Sequence, residues 1–366
     1  MKLVFNFKGD AIPMWVQLLF WLLYLVVFVY AIKKTAISWD KDKRYRNVSW
    51  VFAIFFVLYA IFYCINDDYF SYRDWIYGRN FNFWGKEQFY AYIILFCRSL
   101  HFDYPYELFR LIVWGGAVFL SYQTYRLYRR LPGLALLLLF VFFAGTFCYA
   151  RASLAMAVYF FGVALFLRRR EKYLKTLGIA IALSSYLFHH EMIICIALLP
   201  CLFIPFEKKE FSYITLFLLL GAIVAVSFAS SNLKFFDQMM DNDITSKIEQ
   251  MNQKGQGVLR LSTLIKYLNF FFPFCLITLA LWKRKRLPRS IAGMYRITCG
   301  ILVMSVAFMA VFGLRDVYAY RIMYISMIPM VLLITYGYRR RLIPKGQLLI
   351  MLAIALLSNS IRFINS

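Results

Sequence analysis

The residues best suited to chemistry in this sequence are a few charged and histidine side chains that interrupt long apolar runs. Arg151 lies between two such runs, and His189 and His190 close the next one. A charge buried at the centre of a membrane costs about 2.5–3.5 kcal/mol, so it indicates either a functional site or a paired one. Arginine stays charged and binds two phosphate oxygens at once, whereas a neutral histidine can carry a proton. The pattern predicts phosphate binding by Arg151 and a catalytic or positioning role for His189, with a weaker role for His190.

Each of these residues also has an ordinary structural explanation. An arginine at a span end can extend its charge to the membrane surface, an interfacial histidine can simply end a helix, and Glu191 can pair with one of the histidines. Arg321 lies in a later apolar run and is a candidate second phosphate ligand. Arg315 stands next to Asp316, so a local ion pair is expected there.

A carboxylate that could act as a general base is expected earlier in the chain. Asp67 and Asp68 follow the second apolar run, and Glu87 begins a short apolar segment. Such a carboxylate can take the proton from an incoming hydroxyl, which typically contributes about 10²–10⁴ in rate. The residues after the two aspartates are typical of a sugar-binding surface, although the aromatic belt at a membrane interface contains similar ones. They are Tyr69, Tyr72 and Arg73.

The elements that must position these residues are apolar helices. The 366 residues are 62% hydrophobic and 20% aromatic, with a mean hydropathy of +0.64, which exceeds what a soluble core needs. Spans of about 20 residues predict an all-α polytopic membrane protein with about twelve transmembrane helices, in one membrane domain over 1–366. The predicted spans are 14–32, 48–65, 107–124, 134–149, 152–167, 173–189, 192–205, 211–229, 263–282, 291–313, 319–338 and 345–361.

One apolar segment, within 85–101, is too short to cross a membrane. Its apolar part supports a helix of only about 14 Å at 1.5 Å per residue, about half the hydrocarbon thickness. We predict an interfacial or re-entrant helix on the extracytoplasmic side. A helix over this segment would place Glu87, Arg98 and His101 on one stripe.

The net charge of +24 has a simple distribution along the chain. Six loops on one side of the predicted topology contain 25 of the 42 lysines and arginines but five of the 18 acidic residues. They carry the basic segments 33–46, 126–130, 168–175, 208–209, 283–289 and 339–345, and the loop around 208–209 also includes Glu207 and Glu210. This positive-inside asymmetry places Arg151 and His189 outside, beside two larger extracytoplasmic loops at 66–106 and 230–262. Nucleic-acid binding is not needed to explain the charge.

Several functional classes are disfavoured by what the sequence lacks. The seven cysteines make no C-x-x-C pair and there are only three histidines, so neither a metal site nor a cofactor is predicted. There is no phosphate-binding P-loop, which argues against an ATP-driven motor. The G-x-S-x-G and H-E-x-x-H signatures of familiar hydrolases are also missing.

Taken in order, these features resemble the EpsG family, multi-span proteins of bacterial exopolysaccharide and capsule loci related in role to Wzy-type polymerases. The matching segments are Asp67-Asp68-Tyr69 with Tyr72, Glu87-Gln88-Phe89-Tyr90, Arg151-Ala152-Ser153-Leu154-Ala155, Arg170-Glu171-Lys172-Tyr173, Phe188-His189, and Arg321. The chain departs from the family pattern at three places. Gln88 stands where proline is usual, Ala152 where glutamine is usual, and His190-Glu191 where small residues are common.

The resemblance implies a GT-C-like, metal-independent glycosyltransferase of the bacterial inner membrane. It would join oligosaccharide repeats carried on undecaprenyl pyrophosphate at the extracytoplasmic face, producing capsule, exopolysaccharide or O-antigen. Asp67, Asp68 or Glu87 would activate the acceptor, Arg151 and Arg321 would hold the pyrophosphate, and His189 would assist. The partners implied are lipid-linked donor and acceptor, membrane lipid, and a chain-length regulator or flippase.

Two other functions remain open at the level of sequence. A lipid-linked oligosaccharide flippase or other transporter would use the same arginines to bind phosphate without forming a bond. A membrane acyltransferase acting on surface sugars would use His189 or His190 as a catalytic residue.

Overall fold

The computed structural model describes residues 14–37, most of 47–58, 75–77, 88–101, 103–128, 132–144, 150–203, 261–282, 287–312 and 317–365. Every regular element in these ranges is helical, so the all-α prediction is confirmed for this part of the chain. The α-helices whose bounds the structure describes are α1 (Met14–Ile37), α2 (Gln88–Ser99), α3 (Pro105–Leu127), α4 (Pro132–Phe143), α5 (Ala150–Arg168), α6 (Lys172–Phe188), α7 (Ile193–Ala197), α8 (Leu261–Trp282), α9 (Arg289–Phe312), α10 (Val317–Tyr324), α11 (Met327–Arg339) and α12 (Lys345–Asn365). Helical residues also occur within 47–58 and at 75–77. Short 3₁₀ helices cover His190–Met192 and Leu199–Leu202.

Two predicted spans are broken, and a proline explains each break. The run 192–205 contains α7 and a 3₁₀ helix, because Pro200 has no N–H to bond the carbonyl of residue 196 and its ring crowds that carbonyl. The run 319–338 is divided into α10 and α11 at residues 325–326, four residues before Pro329. The predicted span 211–229 lies outside the described residues.

Two helical segments among the described residues are long and apolar enough to cross a membrane on length and composition: Arg151–Arg168 and Arg289–Phe308. Five shorter apolar helices accompany them. The number of spans therefore stays a prediction, as does the GT-C-like arrangement.

Helix α4 forms the centre of the described bundle and is buried along its whole length. It packs against α1, α3, α11 and α12. Its own side chains are apolar on every side, because a helix that is buried all round has no face that needs to be polar. Its last carbonyls receive hydrogen bonds from neighbouring helices. Asn359 Nδ2 donates to the carbonyl oxygens of Val141 and Phe142 at 3.1 and 3.2 Å. Asn269 Nδ2 also donates to the carbonyl oxygen of Phe142 at 2.9 Å, and the Tyr24 hydroxyl donates to that of Val141 at 2.8 Å.

Helices α5 and α6 form the closely packed hairpin that the sequence predicts. They approach through Gly162 and Gly178, with Ala182 beside them. A Cβ atom on Gly162 would lie 2.5 Å from the backbone nitrogen of Ala182 and 2.5 Å from the backbone oxygen of Gly178. Small residues let the two backbones come together, as at many helix contacts in membranes.

Helix α3 packs alongside α5 and runs in the same direction. A Cβ on Gly116 of α3 would be 3.3 Å from Cδ1 of Leu154 in α5, so these two residues lie at the same height along the two helices. Arg168, at the end of α5, donates from Nε to the carbonyl oxygen of Leu127 at the end of α3, at 3.1 Å. The two helices therefore begin at the same end of the bundle.

Candidate active site

The α5–α6 hairpin brings Arg151 and His189 to the same end of the bundle. Arg151 is in the first turn of α5, and His189 directly follows α6. The connection between the helices, with Arg169 and Arg170, lies at the opposite end, about 28 Å away for a helix of 19 residues. The basic turn and the candidate site are thus at opposite ends of one hairpin.

His189, Glu191 and Arg321 form an ion cluster at the site end. His189 Nε2 is 3.1 Å from Glu191 Oε2, and Arg321 Nη1 donates to Glu191 Oε1 at 3.4 Å. Their side chains are only 10%, 20% and 24% exposed, respectively. Arg321 arrives from α10, 130 residues further along the chain than Glu191. The structure therefore joins the predicted site residues His189 and Arg321 through Glu191. From sequence alone, Glu191 is expected only as a partner of a histidine.

The carboxylate of Glu191 is ionised in this environment. Burial alone raises its pKa, but the hydrogen bond and charge of His189, with the charge of Arg321, outweigh that effect, so the pKa lies below its usual value. Because a carboxylate only accepts hydrogen bonds, Nε2 of His189 must carry a hydrogen. Protonation at Nδ1 then decides whether His189 is neutral or cationic.

His190 is separate from this cluster. It is exposed, whereas His189 is buried, and its ring lies 4.9 Å from the ring of Tyr186. The tandem histidines therefore have different surroundings, and the ion pair to Glu191 belongs to His189.

Arg151 is half-buried, and the 3₁₀ helix His190–Met192 packs against α5. The neighbouring Ala152 and Ser153 are buried in the interior. The hydroxyl of Tyr159, two turns further along α5, donates to the carbonyl oxygen of Cys195 at 2.6 Å and so ties α5 to α7. These contacts join α5 to the segment that follows α6.

Arg110 is a buried cation that the sequence-based site omitted. It is 3% exposed, and its guanidinium lies 5.3 Å from the centre of the Tyr106 ring and 5.1 Å from that of Trp114. Aromatic rings attract a guanidinium through their negative faces. The available signal was a single arginine inside the predicted span 107–124, with an aromatic residue four positions away on either side.

The level of Arg110 along the bundle follows from the contact between α3 and α5. It precedes Gly116 by six residues, about 9 Å, while Arg151 precedes Leu154 by three residues, about 4.5 Å. Because the helices are parallel and Gly116 meets Leu154, both arginines lie toward the same end.

Helix α2 links the helices that carry these residues. Phe89 stacks on Phe188, the residue before His189, with ring centres 5.0 Å apart, and Tyr90 meets Phe109 edge-on at 5.0 Å. The predicted short helix is thus present and its first turn lies next to the His189 end of α6. Its position relative to a membrane stays a prediction.

The predicted stripe along this short helix is wrong for His101. Helix α2 ends at Ser99, and His101 has a left-handed backbone with φ of 47°. Its Nδ1 lies 2.8 Å from the carbonyl oxygen of Ser99, so the residue terminates the helix instead of extending it. Arg98 donates from Nη1 to the carbonyl oxygen of Trp75 at 3.3 Å.

Apart from His190, the predicted base and sugar-binding residues fall outside the part of the chain that the structure describes. They are Asp67, Asp68, Tyr69, Tyr72, Arg73 and Glu87. Their roles remain predictions from sequence.

An apolar helical bundle with a mostly buried ion cluster at one end is typical of a helical membrane protein. The chain belongs to the EpsG family, which it matches over residues 47–364. This confirms the resemblance seen in the sequence and places the protein among Wzy-like polysaccharide polymerases. No curated protein and no solved structure matches the chain significantly.

Proposed function

We propose that this protein joins oligosaccharide repeat units carried on undecaprenyl pyrophosphate, at the extracytoplasmic face of the bacterial inner membrane. The observation that carries the proposal is the ion cluster of His189, Glu191 and Arg321 at the Arg151 end of the α5–α6 hairpin. Membership of a polymerase family supports the reaction class. The position of the basic turn at the other end of the hairpin supports the proposed orientation.

The reaction is a glycosyl transfer between two lipid-linked substrates. An acceptor hydroxyl oxygen attacks the anomeric carbon of the donor, and the bond from that carbon to the pyrophosphate oxygen breaks. The hydroxyl proton passes to a carboxylate, for which Asp67, Asp68 and Glu87 are the candidates. The lipid pyrophosphate departs as an anion.

The arginines would stabilise the departing pyrophosphate. A guanidinium has five N–H donors, and Nη1 of Arg321 donates to Glu191 Oε1 at 3.4 Å. We propose that this carboxylate orients the guanidinium of Arg321 toward the phosphate oxygens. Fixed cations in a site from which water is excluded stabilise developing charge without reorganising. This makes a metal-independent reaction chemically reasonable.

The remaining features of the proposal concern the whole chain. We propose about twelve spans of about 20 residues in one membrane domain, with a GT-C-like arrangement and an active site that faces outside. One continuous cluster of buried hydrophobic side chains in the described helices supports a single domain. Tyr69, Tyr72, Arg73 and His190 are proposed to contact sugar.

Replacement of Arg151 by alanine tests the proposal. The matched control is Arg169→Ala, which removes the same side chain from the exposed turn at the other end of the hairpin. After membrane abundance is matched by immunoblot, R151A should give short or no polymer and R169A normal polymer. Normal long chains from R151A would exclude the assigned role.

Purified protein separates the proposed reaction from the two rival functions. In detergent, with a lipid-linked oligosaccharide and an acyl donor both supplied, a polymerase adds whole repeat masses. A flippase gives no mass change, and an acyltransferase supplied with an acyl donor adds only an acyl group. Mass spectrometry of the products therefore decides among the three.

A further inference from the structure

We propose that Glu191 is a positioning residue that fixes His189 and Arg321 for the transfer reaction. The inference rests on the proposed function, because it assigns to Glu191 the task of holding two residues of that site. Glu191 itself need not touch the substrate.

The carboxylate of Glu191 contacts both partners with different oxygens. Oε2 is 3.1 Å from His189 Nε2, and Oε1 accepts from Arg321 Nη1 at 3.4 Å. Such an arrangement selects the tautomer and ring orientation of a histidine, as carboxylates beside histidines commonly do. It also limits where the guanidinium of Arg321 can lie.

Hydrogen bonds hold the backbone around Glu191 and so restrict where its carboxylate can lie. The amide of Met192 donates to the carbonyl oxygen of His189 at 3.0 Å, and the amide of Ile193 bonds back into the same 3₁₀ turn. The Tyr159 hydroxyl anchors Cys195, which follows in α7, to helix α5. A carboxylate on this turn therefore connects α6, α7 and α10 at one point.

Charge explains why a carboxylate is suited to this position. Arg321 and His189 are mostly buried, and a buried cation that loses its counter-ion is strongly destabilising. With Glu191 ionised, its negative charge offsets the positive charge of Arg321 and also stabilises His189 when that ring is protonated. Removing the negative charge both weakens the hold on Arg321 and changes the hydrogen bond that sets the His189 tautomer.

The test compares Glu191→Gln and Glu191→Asp with Glu171→Gln, using purified full-length protein and a lipid-linked oligosaccharide. Glu171 is exposed in the turn at the opposite end of the same hairpin, so E171Q makes the same chemical change away from the site. We expect E191Q to lower kcat about 10–100-fold, the range found for carboxylate partners of metal-bound histidines. KM should change little, because Glu191 orients other groups and does not itself bind the substrate. E191D should recover part of the rate, and E171Q should match the wild type. A wild-type kcat in E191Q would overturn the inference.

A second readout does not depend on activity. The protein has three histidines, so H101Q/H190Q leaves His189 as the only one, provided that purification uses a tag without histidine. With ¹⁵N-labelled histidine, the imidazole resonances report the tautomer. They should show Nε2 protonated when Glu191 is present and should change in E191Q. Unchanged resonances would overturn the inference, whereas absence of polymer from wild-type protein would overturn only the proposed function.

A further variant covers the case in which E191Q accumulates poorly. E191Q/R321Q removes the cation as well as its counter-ion and should regain abundance, and it is then compared with R321Q alone. The double variant should be slower than R321Q, because His189 has also lost its partner. Equal turnover would show that Glu191 acts on Arg321 alone and would refute the proposed link to His189.

Discussion

Replacing Gly162 with alanine tests how the α5–α6 hairpin holds the candidate site together. The added Cβ would lie 2.5 Å from backbone atoms of Ala182 and Gly178. These are backbone atoms, so no change of rotamer relieves the overlap. Ordinary van der Waals contact begins at 3.4 Å, so the helices must separate by roughly 0.9 Å at this point.

The expected destabilisation follows from two opposing effects. Overpacking a tight contact typically costs about 1–3 kcal/mol, whereas alanine is favoured over glycine in a helix by about 1 kcal/mol. Two backbone clashes place Gly162 toward the costly end, so we expect a net loss of about 1–2 kcal/mol. The rate of polymer synthesis should also fall, by up to about 10²-fold, because a shift of about 1 Å in a site can reduce a rate by that factor.

The assay is the midpoint of thermal denaturation of detergent-purified protein, followed by polymer synthesis at matched abundance. Gly115→Ala in the adjacent helix α3 is the control, because its Cβ would meet nothing within 4 Å. G115A should keep or raise the midpoint, while G162A should lower it and shorten the polymer. A G162A midpoint equal to or above that of G115A would refute the close-packing argument.

Two further variants test polar groups inside the bundle. Asn359→Leu removes one donor to each of the carbonyl oxygens of Val141 and Phe142, which keep the bonds from Tyr24 and Asn269. The net loss of a hydrogen bond is about 0.5–1.5 kcal/mol, so the denaturation midpoint should fall modestly. An unchanged midpoint would show that the bonds from Tyr24 and Asn269 are sufficient for these carbonyls. Arg110→Lys keeps the charge but loses the planar group between Tyr106 and Trp114, a contact typical of about 0.5–2 kcal/mol, so it too should lower the midpoint. Stability equal to that of the wild type would contradict a structural contribution from these rings.

The α5–α6 hairpin could be predicted from sequence because local signals define it. Two apolar runs are separated by a basic turn, and a charged residue stands at each outer end. The helix breaks before Pro200 and Pro329 also had a local signal, the prolines themselves. Spans predicted from average hydropathy do not show these breaks, because a single proline hardly changes the average. Helix content and the position of Arg151 relative to His189 therefore followed from the chain alone.

The pairing of Glu191 with Arg321 could not be predicted in the same way. The two residues are separated by 130 positions, and which helices lie side by side depends on packing of the whole bundle. Sequence left Glu191 as a partner of a histidine, and the structure adds Arg321. Arg110 had a local signal, but its burial between two rings only becomes evident once α3 is built.

The fully buried helix α4 has a consequence for the order in which the protein is made. It is synthesised well before α8, α11 and α12, which later cover it or bond its last carbonyls. Because α4 is apolar on every side, it is as compatible with lipid tails as with protein, so it can remain in the bilayer until those helices arrive. Chains truncated before α12 would lack Asn359 and leave the carbonyl end of α4 less covered. We expect cellular quality control to remove such truncated chains faster than the full-length protein.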